Sequence, residues 1–219
     1  MDTLTNLQKK ILKILNNLQD IEALYLTGGT ALSLYLKHRK SFDIDLFTAS
    51  EELILPFSNN LEKVLKENGL DTKRTKTFHT FTEFVVTEED TITVIQIALD
   101  SPYKLSKPVI FEDFPNLKIS SFIDISANKL LALLGRSDPR DFIDVYFIIK
   151  SGKLSREQLI ESAKKKDTGF DLYWLAIAFK NAELLTQEIL ETYMVDKISL
   201  KELKQFFKNW QEEIVKEIL

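Results

Sequence analysis

Two aspartates two residues apart point most directly to chemistry in this sequence. Asp43 and Asp45 flank Ile44 at the start of an apolar run, residues 44–47. In a β-strand, residues two apart project from the same face, so both carboxylates would lie together while Ile44 packs behind them. Neighbouring carboxylates repel each other, and a divalent cation that prefers hard oxygen ligands, magnesium or manganese, relieves that repulsion. The alternative for an isolated pair of this kind is that one aspartate caps a turn and the other is solvated.

The rest of the composition narrows the kind of metal site. The chain contains no cysteine, which excludes disulfides, thiolate zinc sites and thiol nucleophiles. The two histidines, His38 and His79, lack the additional ligands that zinc would require. A calcium loop fits poorly, because no third aspartate or asparagine and no glycine follow Asp45 at the required offsets. Metal chemistry would therefore depend on carboxylates.

A glycine pair precedes the aspartates. The short apolar run 23–27 predicts a strand and residues 31–36 suit a helix, so Gly28 and Gly29 lie at a turn from strand to helix. Such a turn presents backbone N–H groups and the positive end of the helix dipole to one point, where a phosphate can bind. Taken alone, a glycine pair is more often only a turn.

The joint pattern is more specific than its parts. An apolar strand, a glycine pair and, after residues 30–42, two acids on a second strand resemble the signature of the nucleotidyltransferase superfamily. The segments that carry the closer resemblance are LTGGTAL at residues 26–32 and HRKSFDIDLF at residues 38–47. They are similar to the AbiEii/AbiGii toxin family of nucleotidyltransferases, the toxins of type IV toxin–antitoxin systems.

A second block extends the resemblance. Its residues are DISANKLLAL at 124–133, Arg136, and RDFIDVY at 140–146. They resemble the family's distal lysine motif and its arginine-aspartate-x-x-aspartate motif, which implies roles for Lys129, Asp141 and Asp144. From the residues alone, Lys129 could instead be a surface lysine that extends over an apolar helix face. Asp141, just after Pro139, could merely favour a helix N-terminus.

The resemblance implies a reaction and a set of site residues. A nucleoside monophosphate would pass from a nucleoside triphosphate to an acceptor, such as a tRNA end, with loss of pyrophosphate and with Mg²⁺ or Mn²⁺ as cofactor. The implied metal ligands are Asp43 and Asp45, and the implied catalytic residues are Asp43, Asp45, Lys129, Asp141 and Asp144. The implied nucleotide-binding residues are Gly28, Gly29, Thr30, Arg39, Ser41 and Lys129. A cognate antitoxin is the implied protein partner.

One position departs from the superfamily pattern. Catalytic members place a third carboxylate on a later strand, and in this chain the corresponding strand, residues 93–99, has Gln96 where an acid is expected. An amide oxygen can ligate a metal, but it cannot act as a general base and adds no charge to hold a second ion. Asp100 or Glu83 would take that place if the register differs. A second hypothesis therefore stays open: a nucleotide- or partner-binding protein of the same fold with little or no activity.

Periodicity predicts the elements that position these residues. Helical spacing from Leu4 to Leu18 predicts a first helix, and residues 70–99 predict antiparallel strands. The helices predicted beyond residue 122 cover residues 123–134, 140–149, 156–165, 172–183 and 200–218. The predicted fold class is α+β, a nucleotidyltransferase-like mixed sheet with flanking helices over residues 1–120. An all-helical domain over residues 121–219 would complete the active-site cleft.

Charge and hydropathy exclude two broad classes. A net charge of -4 argues against a protein that coats nucleic acid non-specifically. No apolar run approaches the roughly 20 residues that cross a bilayer, so we predict a soluble, cytoplasmic protein. The aromatic residues Tyr173, Trp174 and Phe179 are predicted to lie in a helical core.

Overall fold

The computed structural model describes residues 3–195 and 198–219. Within that part of the chain there are two compact units. The sheet unit comprises residues up to 35 and residues 41–121, and the helical unit comprises residues 36–40 and residues from 122 onward. The segment 36–40, which lies between the glycine pair and the paired aspartates, thus belongs to the helical unit.

The sheet unit is built on a mixed seven-stranded sheet. Its strands are β1 (Tyr25–Thr27), β2 (Asp43–Thr48), β3 (Asp71–Phe78), β4 (Phe81–Glu88), β5 (Thr91–Leu99), β6 (Val109–Phe111) and β7 (Phe114–Ile119). They lie in the order β3-β4-β5-β2-β1-β7-β6. The β2–β5 and β1–β7 pairs are parallel and the other neighbouring pairs are antiparallel. This mixed sheet, together with the helices, confirms the predicted α+β class.

Alternation along the central strands separates a core face from a polar face. In β2, Ile44 and Leu46 are fully buried, and Ile95 and Ile97 of β5 continue the same face. Helices α1 (Asn6–Asn16) and α3 (Glu51–Glu67) pack against the sheet. The residues between the apolar ones, among them Asp43, project from the other face and are half-buried.

The helical unit is held by an aromatic core. Its helices are α4 (Phe122–Arg136), α5 (Pro139–Lys150), α6 (Arg156–Lys166), α7 (Leu172–Phe179), α8 (Gln187–Tyr193) and α9 (Leu200–Ile218). The rings of Phe142 and Phe207 meet edge to face with centroids 5.0 Å apart. The prediction of a core position is confirmed for Phe179, which is 2% exposed. It is wrong for Tyr173 and Trp174, which are 54% and 60% exposed because α7 buries only its opposite face.

Several elements differ from those expected. The predicted helix over residues 172–183 ends at Phe179 and continues as a 3-10 turn, Lys180–Leu184. Strands β6 and β7 and helix α8 have no counterpart among the expected elements. Among the residues that the structure describes, no helix combines the length and apolar character needed to span a membrane.

Candidate functional site

The turn from β1 into α2 (Gly28–Leu36) lies directly against Asp45. Thr27, the last residue of β1, is the antiparallel partner of Asp45. Gly28 has φ +67°, and a Cβ built on it would lie 1.9 Å from Asp45 Oδ2. Glycine is therefore required at position 28 for two reasons: its backbone is left-handed, and the Asp45 carboxylate fills the space that a side chain would need. The glycine turn and the strand that carries the paired aspartates, which the sequence predicts as one joint pattern, are in direct contact.

Thr30 and Ser41 connect the start of α2 to the entry of β2. Thr30 is fully buried, and its hydroxyl donates to the backbone carbonyl of Asp43. Thr30 Oγ1 also lies 2.9 Å from Ser41 Oγ, and Ser41 is 5% exposed. Both hydroxyls thus hold the aspartate strand against the glycine turn, while their predicted direct contact with nucleotide stays a prediction.

Gln96 stands beside Asp45 in the sheet. The parallel pairing of β2 with β5 makes Gln96 the direct partner of Asp45, which confirms the predicted register. Asp100, considered above as a replacement acid, lies beside the end of β2 and contacts Lys104 and Tyr25 instead. Glu83 lies one strand beyond Gln96 and accepts a hydrogen bond from its Nε2 at 2.9 Å. An amide, not a carboxylate, therefore neighbours Asp45 on this side.

The donor set on this face suits an ion that arrives with a phosphate. Within residues 3–195 and 198–219, no group of three or more histidine, aspartate or glutamate side chains is arranged to hold a metal ion. Magnesium is usually bound by one or two carboxylates with substrate phosphates and waters, rather than by a protein-only cage. Asp43 and Asp45, on one half-buried face beside a glycine turn at a helix N-terminus, fit that mode.

The helical unit contains a second group of acids, buried around Asp144. The Asp144 side chain is fully buried and accepts hydrogen bonds from Arg39 Nε at 2.7 Å and Nη2 at 2.9 Å. Lys129 Nζ lies 2.8 Å from Asp144 Oδ2. Burial alone would raise the pKa of Asp144, but the Lys129 and Arg39 cations hold that pKa well below its usual range. Asp144 is thus an ionised carboxylate compensated by cations of the protein.

Asp141 lies one turn before Asp144 on α5, so both carboxylates project from the same side of that helix. It is fully buried, and Arg136 binds it through Nε at 2.7 Å and Nη2 at 3.0 Å. Lys129 Nζ lies 3.3 Å from Asp141 Oδ1 and so bridges the two aspartates. Lys129 is only 8% exposed, so it is not a lysine that extends over the surface. It lies at the centre of a buried network of ion pairs, here called the Lys129 network, whose other members are Arg39, Arg136, Asp141 and Asp144.

His38 completes this network as a buried neutral group. Its ring packs against Phe147, and Nε2 lies 2.7 Å from Asp144 Oδ1. Burial lowers the pKa of His38 and outweighs the Asp144 carboxylate, which raises it. Near neutral pH the imidazole is uncharged, and because a carboxylate only accepts, Nε2 carries the proton. Nδ1 is then a buried acceptor with no hydrogen-bond partner among the described residues.

The structure divides the predicted site residues between the two units. The sheet unit holds Gly28, Gly29, Thr30, Ser41, Asp43 and Asp45, and the helical unit holds Arg39, Lys129, Asp141 and Asp144. Sequence reasoning missed the bidentate pair of Arg39 with Asp144, which spans 105 positions and leaves no local spacing to detect. The sequence instead predicted that Arg39 contacts the nucleotide, and that contact stays a prediction.

Known proteins are similar to this chain over most of its length. A family model described as "Nucleotidyl transferase AbiEii toxin, Type IV TA system" matches residues 10–216. An uncharacterized protein of Aquifex aeolicus (strain VF5) is 25% identical over 194 residues, covering 84% of each chain. The family match includes both the segment around the glycine turn and the Lys129 network.

Proposed function

The chain belongs to the nucleotidyl transferase AbiEii toxin family of type IV toxin–antitoxin systems, and we propose that it transfers a nucleoside monophosphate from a nucleoside triphosphate to an acceptor. The acceptor hydroxyl oxygen bonds to the α-phosphorus while the bond to the pyrophosphate oxygen breaks, and the hydroxyl proton is released. The observation that carries this proposal is the close approach of the Gly28 turn to Asp45. An RNA end, such as that of tRNA, is the proposed acceptor.

Asp43 and Asp45 would hold a magnesium or manganese ion together with the triphosphate. When bound, such an ion neutralises charge on the phosphate oxygens during transfer. Backbone N–H groups of Gly28 and Gly29, at the N-terminus of α2, would donate to the terminal phosphates. In this proposal the acids bind the metal ion and the glycine turn binds the phosphates, which explains why both are present in one small region.

A role in nucleotide binding is also proposed for Lys129. Asp141 and Asp144 would then contribute by fixing the ammonium group, since each lies within 3.3 Å of Lys129 Nζ. Arg39, through its bidentate bond to Asp144, would maintain this arrangement. A lysine held by two aspartates has a defined position, which is what electrostatic stabilisation of a transferring phosphate requires.

The test separates nucleotidyl transfer from other phosphate chemistry. Purified protein is incubated with magnesium, total RNA and each nucleoside triphosphate, labelled in parallel at the α- or at the γ-phosphate. The proposal expects RNA labelled from the α-position and not from the γ-position, with pyrophosphate as co-product. Label from the γ-position would indicate phosphoryl transfer, and no label from any triphosphate would contradict the proposal.

A second candidate is a nucleotide-binding protein with little or no catalytic activity. Gln96 beside Asp45 favours it, because an amide gives neither the negative charge nor the proton acceptor of a third carboxylate. Thermal unfolding with magnesium and each nucleoside triphosphate distinguishes the two candidates. A raised midpoint of thermal unfolding without transfer to any RNA supports a nucleotide-binding protein. A raised midpoint together with transfer supports the enzyme.

The family description also leads us to propose a cognate antitoxin as a protein partner. The protein is co-expressed with the product of the neighbouring gene, and the complex is isolated through a tag on one component. Co-purification in a fixed ratio is expected. Separate elution of the two proteins would contradict this partnership and leave the transferase proposal intact.

A further inference from the structure

Gln96 lies between two acids that are two strands apart. It is the direct partner of Asp45 on β2 and of Glu83 on β4. All three residues are half-buried and project from the polar face of the sheet. Neighbouring strands lie about 4.8 Å apart, so the backbones of Asp45 and Glu83 are separated by about 10 Å. The Gln96 amide occupies that interval.

Glu83 is fixed from its other side by β3. A register shift between Arg74 and Lys76, a β-bulge, lets two residues of β3 approach Glu83. Thr75 Oγ1 lies 2.9 Å from Glu83 Oε1, and Lys76 Nζ lies 3.2 Å from Oε2. Glu83 therefore presents an ionised carboxylate in a defined position.

This carboxylate determines the orientation of the Gln96 amide. An ionised carboxylate only accepts hydrogen bonds, so the amide must direct its NH₂ toward Glu83. Gln96 Nε2 is indeed the atom that lies 2.9 Å from Glu83 Oε2. The amide oxygen branches from the same planar carbon and is turned away from Glu83. Since β2 is the neighbour of β5 on the other side, this orientation would direct Oε1 toward the side on which Asp45 lies.

We infer that Gln96 Oε1 is a neutral oxygen ligand for the ion proposed at Asp43 and Asp45, and that Glu83 is a positioning residue that keeps this oxygen toward the ion. The inference rests on the proposed metal site. Amide oxygens are suitable ligands for hard divalent cations. Because the third ligand is neutral, the site holds one ion per chain rather than two.

The test measures Mn²⁺ binding directly, from the electron paramagnetic resonance signal of the unbound ion. Wild-type protein is expected to bind one Mn²⁺ per chain. Gln96→Leu is expected to weaken binding roughly tenfold. Glu83→Gln, whose amide can either donate or accept, no longer selects one orientation of Gln96 and is expected to cause a smaller loss. In the Gln96→Leu background, Glu83→Gln is expected to cause no further loss.

Two controls separate orientation from charge. Glu88→Gln makes the same change on the same strand, five residues away, where the carboxylate pairs with Lys10; it is expected to leave Mn²⁺ binding unchanged. Thermal unfolding verifies that each variant is folded. If Glu83→Gln weakens binding equally with and without Gln96, Glu83 acts only through its charge and the positioning role is overturned.

The Asp43→Asn/Asp45→Asn double variant distinguishes failure of this inference from failure of the metal site itself. If that variant loses Mn²⁺ while Gln96→Leu binds as wild type does, only the amide ligand is overturned. If the double variant retains wild-type binding, the proposed metal site fails and the inference fails with it.

Discussion

The two units use aspartates at close spacing in opposite ways. On α5, Asp141 and Asp144 are fully buried, and Arg39, Lys129 and Arg136 from the same unit surround them. On β2, Asp43 and Asp45 remain half-buried on the polar face of the sheet, beside a glycine turn and a neutral amide. A buried carboxylate must find its cation within the protein, because the cost of removing it from water is large. A carboxylate that keeps contact with solvent can take a cation that arrives with a ligand.

The largest expected effect is the loss of stability when one buried acid is neutralised. Asp144→Asn leaves the cations of Arg39 and Lys129 without their shared counter-charge, and should lower the free energy of unfolding by about 3 to 5 kcal/mol. Asp45→Asn, on the half-buried polar face of the sheet, should cause a smaller loss. Urea denaturation at neutral pH measures both values. Equal losses would remove the contrast between the two regions.

The next effect concerns the glycine turn. Gly28→Ala imposes a left-handed backbone on alanine, which costs about 1 to 2 kcal/mol. It also places Cβ 1.9 Å from Asp45 Oδ2, so Asp45 must move and transfer activity should be lost. Gly152→Ala is the matched control, because Gly152 has the same φ of +67° with no heavy atom within 4 Å of an added Cβ. Both variants are compared by denaturation and by the α-label assay.

Equal losses of activity in Gly28→Ala and Gly152→Ala would show that backbone strain alone is responsible. The contact between the glycine turn and Asp45 would then not be needed for transfer.

A smaller effect is expected at the connection between α2 and β2. Ser41→Ala removes a buried hydrogen bond to Thr30 and should lower the free energy of unfolding by about 1 kcal/mol. Ser58→Ala is the control, since the buried Ser58 hydroxyl has no hydrogen-bond partner among the described residues; its removal should be close to neutral. Denaturation measures both. A loss at Ser58 as large as that at Ser41 would refute the assigned connection.

The smallest expected effect is on how steeply the free energy of unfolding changes with pH. Because burial lowers the pKa of His38, protonation favours the unfolded chain. The stability that neutral His38 contributes is present above the unfolded pKa of about 6.5 and is lost as pH falls below it. His38→Gln keeps an N–H donor for Asp144 but does not titrate, so it should flatten the fall in stability between about pH 7.5 and about pH 5.5.

The exposed His79 provides the control for that slope. His79→Gln should retain the wild-type dependence of the urea midpoint on pH. A His38→Gln variant with the wild-type slope would mean that His38 is not the group responsible.

Local patterns predicted much of what surrounds the strand acids. Alternation in β2 and β5 specifies which face each residue occupies, and that was enough to align Gln96 with Asp45. Contacts between distant segments were not predictable in this way. The pair of Arg39 with Asp144 and the fixing of Gln96 by Glu83 depend on how elements meet in space. The short strand β6 and the exposure of Trp174 likewise follow from tertiary packing rather than from periodicity.

The proposed function assigns the chemistry of transfer to Asp43 and Asp45. Its most direct test compares Asp43→Asn/Asp45→Asn with Asp71→Asn/Asp90→Asn, which neutralises two exposed acids of the same unit. Transfer of α-label to RNA and release of pyrophosphate are measured at equal concentrations of folded protein. The strand variant should lose activity by about 10³-fold or more, because several kcal/mol of charge stabilisation disappear, while the control retains wild-type activity. Wild-type transfer by the Asp43→Asn/Asp45→Asn variant would show that these two carboxylates do not carry the reaction.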